Sequence, residues 1–165
     1  MKMEPDLLLA LRKAKGISDY QFGPLITDIL FDNEQKISVE FSKNTGKIKH
    51  IFYEDKIILN FRPSNGFFTL TLFSAKKIIE NVERPTLRAI VLTEISEFIK
   101  KGRNVFCKHV TDIDCNLRPF DEVIVVNQED DLLAIGRLMI PVSYVKSFKI
   151  GIAINVRKGI YKSKI

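Results

Sequence analysis

Residues 116–139, NLRPFDEVIVVNQEDDLLAIGRLM, decide how this chain folds. Glu122 to Val126 is almost continuously β-branched, the composition of a strand buried on both faces. Asn127-Gln128-Glu129-Asp130-Asp131 follows as a polar connection of hairpin length. Leu132 to Ile140 returns as a second strand, interrupted by Gly136, where a missing side chain permits a bulge or a close backbone approach. The acidic run Glu129–Asp131 is expected to be a solvated tip that points away from any polyanion.

Working outward, Leu87–Leu92, Val105–Val110 and Gly151–Arg157 read as further strands of a small barrel. Thr93–Lys101 reads as a helix with Thr93 as N-cap, Ile95, Phe98 and Ile99 as its buried face, and Gly102 just past its end. Glu83-Arg84-Pro85 is the expected domain boundary, because proline disfavours helix at the residue before it. Upstream, Pro5 to about Lys15 reads as a helix with Leu7, Leu8 and Leu11 as its stripe and Gly16 as its stop. Strands are expected at Ile26–Phe31, Ile37–Phe41, Lys47–Tyr53, Lys56–Arg62 and Phe67–Leu72, joined by turn-forming segments such as Asn44-Thr45-Gly46 and Pro63-Ser64-Asn65-Gly66. A short helix over Ser74–Ile79 closes the unit, with Ala75, Ile78 and Ile79 toward the sheet. The expected class is α+β: an antiparallel sheet with flanking helices over 1–85, then a small β-barrel over 86–165.

The 165 residues carry a net charge of +6, with +2 in residues 1–85 and +4 in 86–165. That surplus suits a polyanionic partner and makes the second half the better place for phosphate contact. Two cysteines, Cys107 and Cys115, make no disulfide framework, and a reduced cytoplasmic setting is expected. No apolar run approaches the ~18 residues of a membrane span, and Leu7–Leu11 is too short for a signal core. Cys107, His109 and Cys115 offer three soft ligands in a spacing that fits no structural zinc motif, so no metal is expected. Asp112 and Asp114 would share a strand face but have no nucleophile or third partner, and read as turn and strand-end residues. No phosphate-loop, dinucleotide or zinc-protease motif is present, so no cofactor is expected either. Many of the 12 phenylalanines lie in strand patterns and are expected in the core, with Phe67, Phe68 and Phe73 as a docking surface in the alternative.

The two-strand segment, the RNVFCKHV strand before it and GIAINVRKG after it resemble the PUA domain, a small RNA-binding barrel. The closest likeness is to the PUA domain at the C-terminal end of archaeal tRNA-guanine transglycosylases. Ser18-Asp19-Tyr20-Gln21-Phe22-Gly23, Thr45-Gly46-Lys47-Ile48-Lys49 and Gly66-Phe67-Phe68-Thr69-Leu70 resemble the domain that precedes PUA there, in the same order. Phe120 departs from the family, many members of which have glycine there. The family's base exchange is done in a (β/α)₈ barrel of ~250 residues, and the catalytic aspartates lie in it, so none carries over to this sequence.

The resemblance implies that the Thr93–Lys101 helix and the strand after it face the RNA backbone, so Lys100, Lys101, Arg103 and Lys108 become phosphate ligands and Gly102 permits close approach. The alternative is that Lys100 and Lys101 only complement the helix dipole. Arg118, Arg137 and Lys158 form a second set, with Arg137 turned outward by a bulge at Gly136. Their alternative role is as solvated residues paired with carboxylates. By resemblance the chain is a noncatalytic tRNA-binding protein of archaeosine formation, working with a transglycosylase catalytic subunit in trans. Two other readings stay open: a translation factor that handles initiator tRNA on the small ribosomal subunit, and a self-sufficient RNA-modifying enzyme.

Overall fold

A computed structural model describes residues 5–163, which divide into two compact units between Asn81 and Val82. The first unit is a four-stranded antiparallel meander with three helices. The strands are β1 (Ile37–Phe41), β2 (Ile48–Tyr53), β3 (Lys56–Arg62) and β4 (Phe67–Leu70), paired in chain order. Helix α1 (Pro5–Phe22) runs one and a half turns past Gly16. Its buried stripe is Ala10, Leu11, Ala14 and Ser18, whose helical spacing continues through the glycine, while Leu8 is exposed.

Ile26–Phe31 is not a strand. Helix α2 (Pro24–Leu30) starts there with proline in its first turn, and Ile26, Thr27 and Leu30 face inward at helical spacing. The Thr27 hydroxyl donates to Ser18 Oγ at 2.8 Å, which ties α2 to α1. Packing on α1 thus overrides the β-branched composition. Helix α3 (Leu72–Asn81) buries Ser74, Ala75 and Ile78, with Ile79 half-buried.

The second unit is a six-stranded, nearly closed mixed sheet in the order β6-β10-β9-β8-β5-β7. These are β5 (Arg88–Val91), β6 (Val105–Phe106), β7 (Val110–Ile113), β8 (Glu122–Val126), β9 (Leu132–Leu138) and β10 (Ile152–Gly159). As its composition predicts, β8 is buried throughout, antiparallel to β9 and parallel to β5. Gly136 lies where a β-carbon would come within 2.4 Å of the Asn155 carbonyl oxygen. The strand register slips there, but the extra residue is Arg157 on β10, not Arg137 on β9. Helix α4 (Ser96–Lys100) is preceded by a 3-10 turn over Thr93–Ile95 whose N-cap is Leu92. Thr93 does not cap; its hydroxyl donates to Glu129 Oε2 at 2.7 Å. Ile95 and Ile99 are buried, whereas Phe98 is 62% exposed because the short helix turns only one edge inward. A 3-10 turn over Cys107–His109 splits the expected Val105–Val110 strand, so Cys107 and His109 do not share a strand face. Helix α5 (Val142–Ser147), with Pro141 at its N-cap, lies where no element is expected.

The acidic tip is not merely solvated. Asn127 Oδ1 accepts from the Glu129 and Asp131 amides, and Asp130 Oδ1 lies 3.1 Å from Nε of the fully buried Arg88. Arg88 also donates to the Val82 and Thr86 carbonyls, and Arg84 to the Gln128 carbonyl. Of the phenylalanines, only Phe31 and Phe68 belong to the buried core, which is otherwise built of Ile, Leu, Val and Ala together with Cys107.

Candidate RNA interface

The end of α4 and the end of β10 build one basic surface. Gly102 has φ +91, a left-handed conformation. Its amide donates to the Ile99 carbonyl at 2.8 Å, and the Arg103 amide donates to the Phe98 carbonyl at 3.1 Å. This paired stop closes α4 and sends the chain back toward β6. Gly159 then passes beneath the helix end so closely that a β-carbon would sit 2.2 Å from the Lys100 carbonyl oxygen. On the other side, Lys162 Nζ reaches to 2.9 Å from where a β-carbon on Gly102 would be. The backbones of Lys101, Arg103 and Lys158 and the Lys162 side chain are thereby brought near two glycines, Gly102 and Gly159. Lys101, Arg103, Lys158 and Lys162 are exposed and make no ion pair among the described residues.

Lys100 belongs to the same helix end but is engaged. Its ammonium lies 3.0 Å from Glu97 Oε1 and 5.6 Å from the Tyr161 ring centre, and the Tyr161 hydroxyl donates to Glu97 Oε2 at 2.9 Å. The Lys100 hydrogen bond, and after it that from Tyr161, holds Glu97 below the usual carboxylate range, and Glu97 in turn raises Lys100. The pair therefore persists at neutral pH, and opens as pH falls through the lowered Glu97 value or rises through the raised Lys100 value. Glu97→Gln is expected to free Lys100 and tighten RNA binding ~2- to 5-fold at low salt, with a log–log salt slope steeper by up to ~0.9. A fluorescence titration at several salt concentrations checks this.

The other expected residues lie elsewhere. Lys108 is exposed on the Cys107–His109 turn, beside Gly151 and at the far end of β10 from Lys158. Arg118 is exposed in the turn before β8, where its amide donates to Asp121 Oδ2 at 2.8 Å. Burial raises the Asp121 carboxyl against that hydrogen bond. Arg137 sits on regular β9 with its guanidinium 5.5 Å from the Phe120 ring centre, so no bulge turns it outward. Phe120, at φ +74, takes up the left-handed conformation that glycine would hold without strain. The bulge instead delivers Arg157 to the buried Glu122 in a two-armed ion pair of 2.7 and 2.6 Å. Lys162 was missed because nothing in a C-terminal lysine run marks which residue folds back on Gly102. Cys107 is buried, which pushes its thiol up, while Cys115 is exposed. Asp114 is buried as a turn anchor, accepting from the Leu87 and Asn116 amides.

An α+β unit followed along the chain by a small mixed barrel is the domain order that two family models also find. Residues 12–85 match the patch-forming domain C2 of tRNA-guanine transglycosylase, and residues 88–160 match the PUA domain. The chain is thus similar, domain by domain, to the C2–PUA portion of tRNA-guanine transglycosylases. It is 40% identical over 92% of its length to the tRNA-guanine(15) transglycosylase of Methanobrevibacter smithii, and 35% identical over 96% to that of Thermococcus kodakarensis. It spans only 23% and 27% of those relatives. A hypothetical protein of Pyrococcus horikoshii shares the fold with a TM-score of 0.73, at 21% identity over 92% of this chain and 90% of that one. A conserved PUA domain protein from Thermoplasma acidophilum does so at 0.62 and 14%, over 92% and 89%.

Proposed function

We propose that this chain binds folded tRNA and has no base-exchange chemistry of its own, serving a transglycosylase active site supplied in trans. The observation that carries the reading is the placing of the Lys101, Arg103 and Lys158 backbones and the Lys162 side chain near Gly102 and Gly159, with no ion pair spent within the described residues. Such cations meet phosphates of a duplex, whose deep major groove hides its base edges, and so recognise backbone and shape. Neither unit is a (β/α)₈ barrel. Among the described residues no cluster of His, Cys, Asp and Glu is arranged to hold a metal. The protein partner's surface is assigned to the first unit. There a groove of about 830 Å³ is lined by Leu9, Ile17, Tyr20, Phe41, Phe61 and Phe67, with Tyr20 and Phe67 stacked at 5.9 Å.

Tethering tRNA beside an active site raises its effective concentration without adding chemistry. Steady-state kinetics of a catalytic chain should therefore show a lower KM for tRNA when this protein is added, with a smaller change in kcat. The purified chain alone should incorporate no labelled 7-deazaguanine precursor. Incorporation above a no-protein control would refute the noncatalytic reading. Retained tRNA affinity without any kinetic effect would move the assignment to initiator tRNA handling in translation.

A further inference from the structure

We propose that α5 and the neighbouring end of β10 form a second RNA subsite, a stacking surface for unpaired nucleotides, separate from the cation cluster at Gly102. It rests on the RNA-binding reading above and adds to it a distinct ligand class. Tyr144 and Phe148 stack face to face on α5 and its C-terminal edge, with ring centres 5.1 Å apart and planes inclined by 14°, and both are about half exposed. Helix α5 packs against the Cys107–His109 turn and β7. The Cys107 amide donates to the Gly151 carbonyl at 3.0 Å, and Phe106 pairs across the sheet from Ile152. His109 meets the Phe106 ring edge-on at 6.3 Å. Ile150, 87% exposed, completes the surface. Phe106, Tyr144, Phe148, Ile150 and Ile152 are thus five exposed apolar residues in one neighbourhood of this unit, linked by the β6–β10 pairing and by α5 on the turn that follows Phe106.

The charge around them selects the occupant. Lys108, Lys146 and Lys149 are exposed at the rim, and Asp112 is the one carboxylate on α5, the Cys107–His109 turn and β7 together. Open aromatic faces ringed by cations complement a polyanion that itself carries aromatic faces, which is a nucleotide strand. Duplex RNA keeps its base faces inside its own stack, so only unpaired nucleotides can use this surface. The placement also gives Lys108 a role that its distance from Gly102 denies it in the first cluster. β10 spans Ile152–Gly159, so roughly 23 Å of strand at about 3.3 Å per residue separates the two ends.

The test uses the full chain with two RNA hairpins, one blunt and one bearing a short single-stranded tail. Wild-type protein is expected to bind the tailed hairpin ~10-fold more tightly than the blunt one. The Tyr144→Ala/Phe148→Ala double variant should lose that advantage while its affinity for the blunt hairpin stays unchanged, which also shows that it folds. The chain contains no tryptophan, so Phe148→Trp places a single reporter in the stack, and its fluorescence should be quenched by the tailed hairpin and not by the blunt one. Equal wild-type affinity for both hairpins would overturn the subsite and leave the duplex-binding reading standing. Equal weakening of both hairpins by the double variant, or self-association that the double variant abolishes, would overturn it as well. Loss of blunt-hairpin binding in a Lys101/Arg103/Lys158 variant, by contrast, reports on the first cluster alone.

Discussion

Replacing Gly159 by alanine is expected to destabilise the second unit by ~3 kcal/mol or more and to weaken RNA binding by whatever protein remains folded. The new β-carbon would lie 2.2 Å from the Lys100 carbonyl oxygen and 2.7 Å from that of Ile99. Both are backbone atoms, so no side-chain rotation relieves the clash, and α4 must shift away from β10. That shift displaces Lys101, Gly102 and Arg103 from Lys158, because the close passage of Gly159 is what brings them together. Thermal unfolding and a tRNA titration of the same sample check both halves of the expectation. Gly16→Ala is the contrasting case. It adds a β-carbon to open space on a helix, and should stabilise the first unit by ~0.5–1 kcal/mol.

Arg88→Met is expected to have the second largest effect, a loss of ~3 kcal/mol from the second unit. The Arg88 side chain is fully buried, with Nη2 donating to the Val82 carbonyl at 2.7 Å and Nη1 to that of Thr86 at 3.2 Å. Its Nε faces Asp130 at 3.1 Å. Burial lowers the guanidinium pKa and Asp130 opposes that effect, so the charge is held by its partner and by the carbonyls around it. Methionine keeps much of the volume but leaves Asp130 without its counter-charge and two carbonyls without their donor. Asp130 is 27% exposed and keeps part of its hydration, which places the cost at the lower end for breaking a buried pair. For a unit of this size the unfolding midpoint should fall by more than about 10 °C.

Legibility in the sequence followed how local the cause was. β8 was readable because a run of β-branched residues between two turns has one good solution, a doubly buried strand. Gly102 and Gly136 were readable as special positions, since a missing side chain is itself the signal. α2 was not, because Ile26–Phe31 has strand composition and becomes a helix only by packing on α1. The buried Arg88 was invisible for the same reason: arginine in a strand reads as solvated until its carbonyl partners fold around it. In the site, Lys101 and Arg103 were fixed by their distance from a helix stop. Lys162, Lys108 and Arg157 were placed by tertiary contacts that no local pattern announces: the fold-back on Gly102, the 3-10 turn, and the bulge that turns inward to Glu122.

The central claim is that phosphate contact at the α4 end is the source of affinity. The direct measurement is the salt dependence of binding to folded tRNA for wild-type protein and for Lys101→Ala/Arg103→Ala/Lys158→Ala. Each lost phosphate contact removes ~0.7–0.9 from the slope of log affinity against log salt. The account predicts a triple variant with intact unfolding behaviour, weaker binding, and a slope flatter by ~2–3. A folded triple variant with the wild-type affinity and slope would contradict it.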